Sequence, residues 1–212
     1  SIKLTATFVN KIVKNNRQTA VKKEYTIKNA AKKLFFSKGH LHATTQEIAD
    51  EAEVNRSLIN YYFQSRDTLF QTVYREAVDD FKEQLDDVLC APLPFREKIE
   101  LFMDVYMKEL LKYPYRESFL ITEMCSKNFA LKEKKKSHAL AHFIKEVELE
   151  MEKGAIKKID PIQFLFNLFS LMALPIIMAP LYQRLFDLSK ERYNGLIADR
   201  KQLILDHIFS KD

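Results

Sequence analysis

The segment from residue 44 to residue 63 constrains the fold more strongly than any other part of this chain. Thr44 and Glu47 have the three-residue spacing of a capping box, which begins a helix. Asparagine is a common N-cap residue, so Asn55 can begin a second helix. Apolar residues recur at helical spacing after each cap, and a short gap separates the two stretches. The pattern predicts two short helices joined by a tight turn, which is the arrangement of a DNA-reading helix-turn-helix.

The second of these helices is predicted to have two chemically different faces. Its inward face is predicted from apolar and aromatic residues at helical spacing, namely Ile59, Tyr62 and Phe63. Its outward side carries polar residues that are free to enter a groove, namely Arg56, Ser57, Asn60 and Tyr61. Arginine pairs with guanine, and asparagine with adenine, through two hydrogen bonds each, so this side is suited to reading bases.

Composition favours an all-helical protein. The chain has 212 residues, of which 3 are glycine and 6 are proline, which is too few turn residues for an all-β fold. Hydrophobic residues make up 47% of the chain, enough for a sizeable core.

Cys90 and Cys125 lie far apart and lack metal-binding spacing, and no secretory signal pattern is visible, so a reducing cytoplasm is the expected location.

Charge is distributed unevenly along the chain. The net charge is +5, but residues 1–66 contain 12 basic and 5 acidic residues, whereas the rest of the chain contains 22 and 24. A positive field confined to the helix-turn-helix third favours a polyanionic partner, because phosphate contacts supply most of the sequence-independent affinity for nucleic acid. A merely soluble basic surface would show the same charge. Residues 1–23 contain no acidic residue and are interpreted as a basic arm that tracks phosphates, enters a minor groove or is simply solvated.

Helix boundaries follow from caps, prolines and apolar periodicity. A first helix is predicted from about Glu24 to Lys38, where Gly39 provides a left-handed stop, and a fourth helix is predicted from Ser65 to Cys90. Asp160 before Pro161 is a strong helix start. Further helices are expected at 95–112, 115–128, 130–153, 161–186 and 190–209, the fourth of these kinked or broken by Pro175 and Pro180.

Residues 26–75 resemble the N-terminal DNA-binding domain of the TetR family of bacterial transcriptional regulators. The resemblance rests on Ala30, Ala31, Leu34, Phe35, Gly39, Thr44, Ile48, Ala49, Ala52, Val54, Ile59, Tyr62, Phe63, Ser65, Arg66 and Leu69. The rest of the chain is similar to the family only in its length and helical pattern. We therefore expect an all-α protein with a basic arm over residues 1–23, a three-helix DNA-binding domain over 24–75, and a larger helical ligand-binding and dimerisation domain over 76–212.

The resemblance implies roles for individual residues of the DNA-binding domain. Phosphate contacts are implied for Thr44, Tyr62 and Arg66. Approaches to bases are implied for Gln46, Arg56, Ser57, Asn60 and Tyr61. Three positions depart from the family pattern: Glu53 stands in the turn where glycine is favoured, Leu58 replaces a small hydroxyl residue, and Asn60 replaces a frequent tyrosine. These departures put the operator sequence in doubt, but not the fold.

The resemblance also implies a ligand pocket and a dimer interface in the C-terminal domain. Candidate pocket residues are Phe102, Tyr106, Phe119, Met124, His138, Phe143, Phe169 and Met172. Core packing explains most of them, but adaptable apolar side chains also suit a small apolar ligand. A homodimer is expected through the helices near 161–186 and 190–209, the last helix contributing Tyr193, Leu196, Ile197, Ile204 and Ile208. The expected function is a repressor that such a ligand releases from a palindromic operator.

Other functions have weaker support in the sequence. Residues 161–183 carry no formal charge and approach the length of a membrane span, although polar residues and prolines interrupt them. His138, His142 and Glu146 share a helical face, but their ligand set is incomplete, and neither a metal nor another cofactor is expected. No nucleophile or acid-base pair is recognisable, so an enzyme is not expected. The alternative is a ligand-binding or membrane-associated helical protein with a vestigial helix-turn-helix.

Overall fold

The computed structural model describes residues 19–119 and 138–209. All regular secondary structure in these two ranges is helical, which confirms the all-α class. The chain divides into two compact units, Ser1–Ala77 and Val78–Asp212. The division falls inside one helix, α4 (Arg66–Cys90), so a single element contributes residues to both units.

Helix α1 opens the described part of the N-terminal unit. It is α-helical over residues 19–32 and continues as a π-helical turn, Lys33–Ser37. It ends where predicted, since Gly39 adopts a φ of 72°. The predicted start near Glu24 is wrong, because residues 19–23 are already helical; lysine and alanine are good helix formers, so the basic charges there do not prevent a helix. The remainder of the predicted basic arm, residues 1–18, lies outside the described residues.

Helices α2 (Thr45–Glu51) and α3 (Arg56–Phe63) follow α1 and enclose an aromatic core with the first part of α4. The rings of Phe35 and Phe70 meet edge to face with centroids 4.9 Å apart. At the edge of this core, Lys28 Nζ lies 2.8 Å from Glu76 Oε1, and that hydrogen bond raises the pKa of Lys28. The pair joins α1 to α4 within the unit.

The C-terminal unit contains the rest of α4 and five labelled helices: α5 (Phe95–Lys112), α6 (His138–Glu152), α7 (Pro161–Ile177), α8 (Ala179–Leu185) and α9 (Lys190–Phe209). The bounds of α5 and α9 are those predicted from the sequence. Residues 116–119 are also helical, and the remainder of the predicted helix 115–128 lies outside the described residues.

Helix α7 lies at the centre of this unit and packs against α5, α6 and α9. Asp160 caps it by accepting a hydrogen bond from the amide of Ile162 at 2.7 Å, and Pro161 occupies its first position, as predicted. Phe164, Leu168 and Met172 are buried in the core. Neighbours on several sides explain why this helix is apolar around most of its circumference.

The helix predicted over 161–186 is broken into two helices, which confirms the prediction that its prolines kink or break it. The chain breaks at Met178, and α7 and α8 are bent by 69° relative to each other. Pro175 lies inside α7 and Pro180 in the first turn of α8, where proline removes backbone donors and crowds the preceding turn. Among the described residues no single helix is long and apolar enough to cross a membrane, and α7 and α8 meet that criterion only as a bent pair.

Candidate nucleic-acid interface

Thr44 and Glu47 form a reciprocal cap at the exposed start of α2. The amide of Glu47 donates to Thr44 Oγ1 at 3.2 Å, while the amide and the hydroxyl of Thr44 donate to Glu47 Oε2 at 2.7 and 2.9 Å. The backbone hydrogen bond, followed by the hydroxyl, lowers the pKa of the Glu47 carboxyl. The predicted capping box is therefore confirmed. Gln46, in the first turn of α2 and also exposed, donates to Asp50 Oδ1 at 2.7 Å.

The turn between α2 and α3 contains Glu53 in the left-handed region, with a φ of 53°. A residue with a Cβ atom is strained there by about 1–2 kcal/mol, which explains why glycine suits this position. After the turn, Asn55 caps α3 by accepting a hydrogen bond from the amide of Ser57 at 2.8 Å, as predicted. The strained turn and the cap together set where α3 begins.

Helix α3 separates its buried and exposed residues largely as the sequence predicts. Ile59 and Phe63 are buried, whereas Arg56, Ser57 and Asn60 are exposed. Tyr61 is 77% exposed, and its ring meets that of half-buried Tyr62 edge to face at 5.0 Å. The exposed side of this helix therefore presents a guanidinium, an amide and two hydroxyl groups.

Arg66 is oriented differently from the other predicted DNA contacts. Its guanidinium donates to the carbonyl of Ala43 at 3.2 Å and to the carbonyl of Leu41, and it lies 5.2 and 5.4 Å from the ring centroids of Phe35 and Phe70. These contacts turn the side chain toward the loop that precedes Thr44. No local sequence pattern indicates this orientation, because it depends on two backbone carbonyls.

The basic charge around this surface is partly neutralised. Glu51 accepts from Lys33 Nζ and Lys38 Nζ at 2.6 Å each, and these hydrogen bonds lower the pKa of the Glu51 carboxyl. Arg56, by contrast, has no ion-pair partner within residues 19–119 and 138–209. Arg56 is therefore a cation on α3 that is available to a nucleic acid without breaking an existing pair.

A second candidate site is a cavity of about 250 Å³ in the C-terminal unit. Helix α4 forms one wall with Val78, Phe81, Lys82, Leu85, Asp86 and Leu89. Helices α5, α6 and α7 supply the other lining residues, which are Phe102, Leu140, Phe143, Leu165 and Phe169. The two charged residues of the lining pair with each other, Lys82 Nζ lying 2.9 Å from Asp86 Oδ2. The cavity is therefore apolar apart from one internally compensated ion pair.

Three of the predicted pocket residues line this cavity: Phe102, Phe143 and Phe169. Tyr106 lies behind it, its ring centroid 5.9 Å from that of Phe102 and 5.3 Å from that of Phe169, and burial raises its pKa. Of the others, Met172 is enclosed in the core, Phe119 is buried away from the lining, and His138 is exposed. Met124 lies outside the described residues.

The sequence interpretation missed the contribution of α4 to the cavity. Its apolar residues at helical spacing were indistinguishable from core positions, because a cavity wall and a packed core have the same pattern. It also missed Arg116, which is 2% exposed, lies 4.2 Å from the Phe81 ring centroid, and donates to Glu117 at 3.0 Å. Nothing in the local pattern around Arg116 distinguishes it from a surface arginine.

Helices α7, α8 and α9 expose large apolar side chains at helical spacing. Those that are about half exposed or more are Phe166, Leu174, Leu181, Leu185, Phe186, Leu196 and Leu203. Of the predicted interface residues in the last helix, Tyr193, Ile197 and Ile204 are instead buried within the chain's own core. Those three belong to the inward face of α9, and the residues free to contact a second chain are on its other side.

The histidine face of α6 does not assemble a metal site. Glu146 lies 3.9 Å from His142 Nδ1, but both of its carboxylate oxygens lie 2.7 Å from Lys98 Nζ, which is itself 1% exposed. Lys98 also donates to the carbonyl of Leu89 at 3.2 Å, joining the end of α4 to α5 and α6. Within residues 19–119 and 138–209 no group of three His, Cys, Asp or Glu side chains is placed to hold a metal ion.

Part of the N-terminal unit matches a known family of proteins. Residues 27–73 match the model of the family described as bacterial regulatory proteins, tetR family. The HTH-type transcriptional regulator YhgD of Bacillus subtilis strain 168, a protein without an established role, is 22% identical over 147 residues, which cover 67% of this chain and 76% of that protein.

Solved structures share the fold over most of the chain. A TetR family transcription regulator from Marinobacter aquaeolei VT8 has a TM-score of 0.57 at 15% identity and covers 92% of this chain and 100% of its own. HlyIIR, a hemolysin II transcriptional regulator, has a TM-score of 0.57 at 18% identity and covers 91% of this chain and 99% of its own. At these identities the structures establish the fold but carry no information on ligand or operator.

Proposed function

This chain belongs to the tetR family of bacterial regulatory proteins and is a transcriptional regulator, and on that premise we propose that it is a homodimeric repressor with a near-palindromic operator. A small apolar molecule in the cavity of the C-terminal unit releases it from DNA. The observation that carries the proposal is the exposed polar side of α3, which presents an asparagine and an arginine that has no ion-pair partner among the described residues, together with the capped start of α2.

The chemistry of each side chain of the interface indicates its proposed role. Arg56 and Asn60 read bases, since their side chains make paired hydrogen bonds to guanine and adenine. Gln46, Ser57 and Tyr61 approach neighbouring bases or the groove edge. Thr44 and Tyr62 contact phosphates, which fixes the register of α3 in the groove.

Arg66 acts by positioning in this proposal, in place of the phosphate contact that the family resemblance implies. Its hydrogen bonds to the carbonyls of Leu41 and Ala43 hold the loop immediately before Thr44. A guanidinium suits this role because its rigid planar fork holds separate N–H groups toward the two carbonyls, whereas an ammonium presents all its donors from a single atom on a flexible stem. Arg66 thereby determines where the hydroxyl and amide of Thr44 lie.

Dimerisation is proposed through the exposed apolar side chains of α7, α8 and α9. Two recognition helices about 34–36 Å apart are needed to reach half-sites in successive major grooves, and a two-fold dimer supplies them. Sedimentation at micromolar concentration is expected to give a dimer. Phe166→Asp should shift it to monomer, whereas Leu149→Asp, at a residue equally exposed but on α6, should not. A monomeric wild type would contradict this part of the proposal.

Helix α4 is the proposed route from ligand to DNA. Its N-terminal residues belong to the DNA-binding unit, and six of its later residues line the cavity. A ligand that favours one position of α4 shifts the population of DNA-competent dimers, provided that its affinity for the two states differs.

Hydroxyl-radical footprinting of a tightly bound DNA fragment tests whether the protein binds its operator as a dimer. Two protected regions about one helical turn apart are expected, because each recognition helix occupies one half-site. A single protected region would contradict the proposal.

A further inference from the structure

We infer that the effector of this regulator is an uncharged, ring-containing molecule about the size of two fused aromatic rings. The inference deepens the proposed function and rests on the proposal that the cavity beside α4 holds the effector. It is carried by the size of the cavity, by the arrangement of its phenylalanine rings and by the pairing of the charged side chains that line it or lie close behind it within residues 19–119 and 138–209.

The volume of the cavity limits the effector to a small molecule. Its volume is about 250 Å³. An apolar protein cavity of about 150 Å³ accommodates benzene, and pockets for drug-sized ligands start at about 300 Å³. A two-ring molecule lies between these limits.

The phenylalanines of the cavity present both ring faces and ring edges. Phe102 and Phe143 lie nearly parallel, with centroids 6.2 Å apart and an interplanar angle of 19°. Phe169 meets Phe102 edge-on at 5.8 Å and 74°. Aromatic faces are negative and edges positive, so a flat ring finds complementary partners on more than one wall. A flexible chain of equal apolar area would lose more conformational entropy on binding.

The charged side chains that line the cavity or lie close behind it have partners within the part of the chain that the structure describes. Lys82 and Asp86 neutralise each other on α4. Behind Phe81, Arg116 lies 3.4 Å from Glu109 and 3.0 Å from Glu117, and Glu109 also lies 3.6 Å from Lys112 Nζ. At the end of α4, Lys98 is paired with Glu146. Among the described residues a charged effector would therefore have to enter an apolar space without a free counter-ion or break an existing pair, both of which are costly.

Three probes that share one ring system and differ in charge test the inference. Naphthalene-1-carboxamide is uncharged, 1-naphthoate is an anion, and 1-naphthylmethylammonium is a cation at neutral pH. Calorimetric titration of the full chain without DNA should show the carboxamide binding at least about tenfold more tightly than either ion, since burying an unpaired charge is costly. Decanamide, an uncharged chain, should bind more weakly than the carboxamide.

Two variants on α4 should change the charge preference in opposite directions. Asp86→Asn leaves Lys82 without its partner and should raise the affinity for 1-naphthoate by up to about fivefold, the upper range for a partly exposed ion pair. Lys82→Gln should raise the affinity for 1-naphthylmethylammonium in the same way. Opposite responses of this kind cannot come from a general loss of folding.

A matched pair of leucines on α6 tests whether the probes occupy the cavity. Leu140 lines it and Leu149 does not. Leu140→Ala should weaken carboxamide binding by about three- to tenfold, the value of the lost apolar contact, and Leu149→Ala should leave it unchanged. Equal affinity for the three naphthalene probes, tighter binding of an ion or of decanamide, or no saturable binding of the carboxamide would overturn the inference. Because DNA is absent, none of these results bears on operator recognition.

Discussion

In the N-terminal unit the polar residues of the candidate interface are exposed to solvent. In the C-terminal unit the charged residues around the cavity are paired with each other, and some of them are buried. Thr44 and Asn55 sit exposed at helix starts, where hydrogen bonds of the cap hold them in place. In the C-terminal unit Lys98 and Arg116 are almost completely buried beside carboxylates, and large apolar residues are exposed instead. A surface for nucleic acid is therefore visible as a pattern of exposed polar residues. A site for an apolar ligand is lined by residues with the same pattern as core residues, so only the cavity between them in the structure identifies it.

The largest expected effect concerns the enclosed core of the C-terminal unit. Phe143 is 1% exposed and lies between other aromatic rings, so Phe143→Ala should lower the free energy of unfolding by about 3–5 kcal/mol. Leu149→Ala on the same helix, at an exposed position, should change it by less than about 0.5 kcal/mol. Urea unfolding measures both. Equal losses of unfolding free energy in the two variants would contradict the assignment of Phe143 to the core and of Leu149 to the exposed side of α6.

Arg66 of the N-terminal unit turns its charged group inward, as Lys98 and Arg116 do in the C-terminal unit. Arg66→Lys keeps the charge but loses the fork that reaches two carbonyls, so the free energy of unfolding should fall by about 1–2 kcal/mol. Arg56→Lys, at an exposed position without an ion pair, should leave stability unchanged and weaken only DNA binding. If Arg66→Lys were as stable as the wild type, the positioning role of Arg66 would be wrong.

The turn between α2 and α3 should gain stability from a smaller residue. Glu53→Gly relieves the left-handed strain at a φ of 53° and should raise the free energy of unfolding by about 1 kcal/mol. Glu53→Ala is the control, because alanine retains the Cβ atom and should give no such gain. A glycine variant no more stable than the alanine variant would show that the turn is not strained.

The smallest expected effect is the pH dependence of the α2 cap. The pKa of Glu47 is lowered below its ordinary value of 4.5 by hydrogen bonds from Thr44. The carboxylate therefore stabilises the fold above about that pH, and the contribution is lost as the pH falls through the folded-state pKa. Glu47→Gln should be less stable than the wild type at pH 7, and the difference should shrink toward pH 3 in thermal unfolding. A difference that is constant with pH would contradict this.

Local signals predicted much of the fold. Caps and prolines act within a few residues, so the start of α7 at Asp160, the end of α4 at Cys90 and the bounds of α5 followed from neighbouring residues. The break at Met178 was placed only approximately, because a proline disrupts the helix before it without specifying where the chain resumes. The early start of α1 does not follow from the sequence, because a run of basic residues is equally typical of an irregular arm and of a helix.

The candidate sites were predictable to different degrees. The exposed polar side of α3 followed from helical periodicity, which fixes the side on which each residue lies. The inward orientation of Arg66 and the exposure of His138 did not follow, since both depend on elements distant in sequence. The α4 wall of the cavity, including Phe81, could not be separated from core packing by any local pattern.

Selection of bound sequences from random duplex DNA at about 0.15 M salt, with Asn60→Ala as the matched variant, tests base reading by α3 most directly, because specificity is defined only at a stated salt concentration. An enriched palindrome with half-sites about one turn apart, weakened or relaxed in the variant, is the expected result. Salt-sensitive binding without any enriched sequence would contradict it, since the basic surface would then bind DNA through phosphates alone.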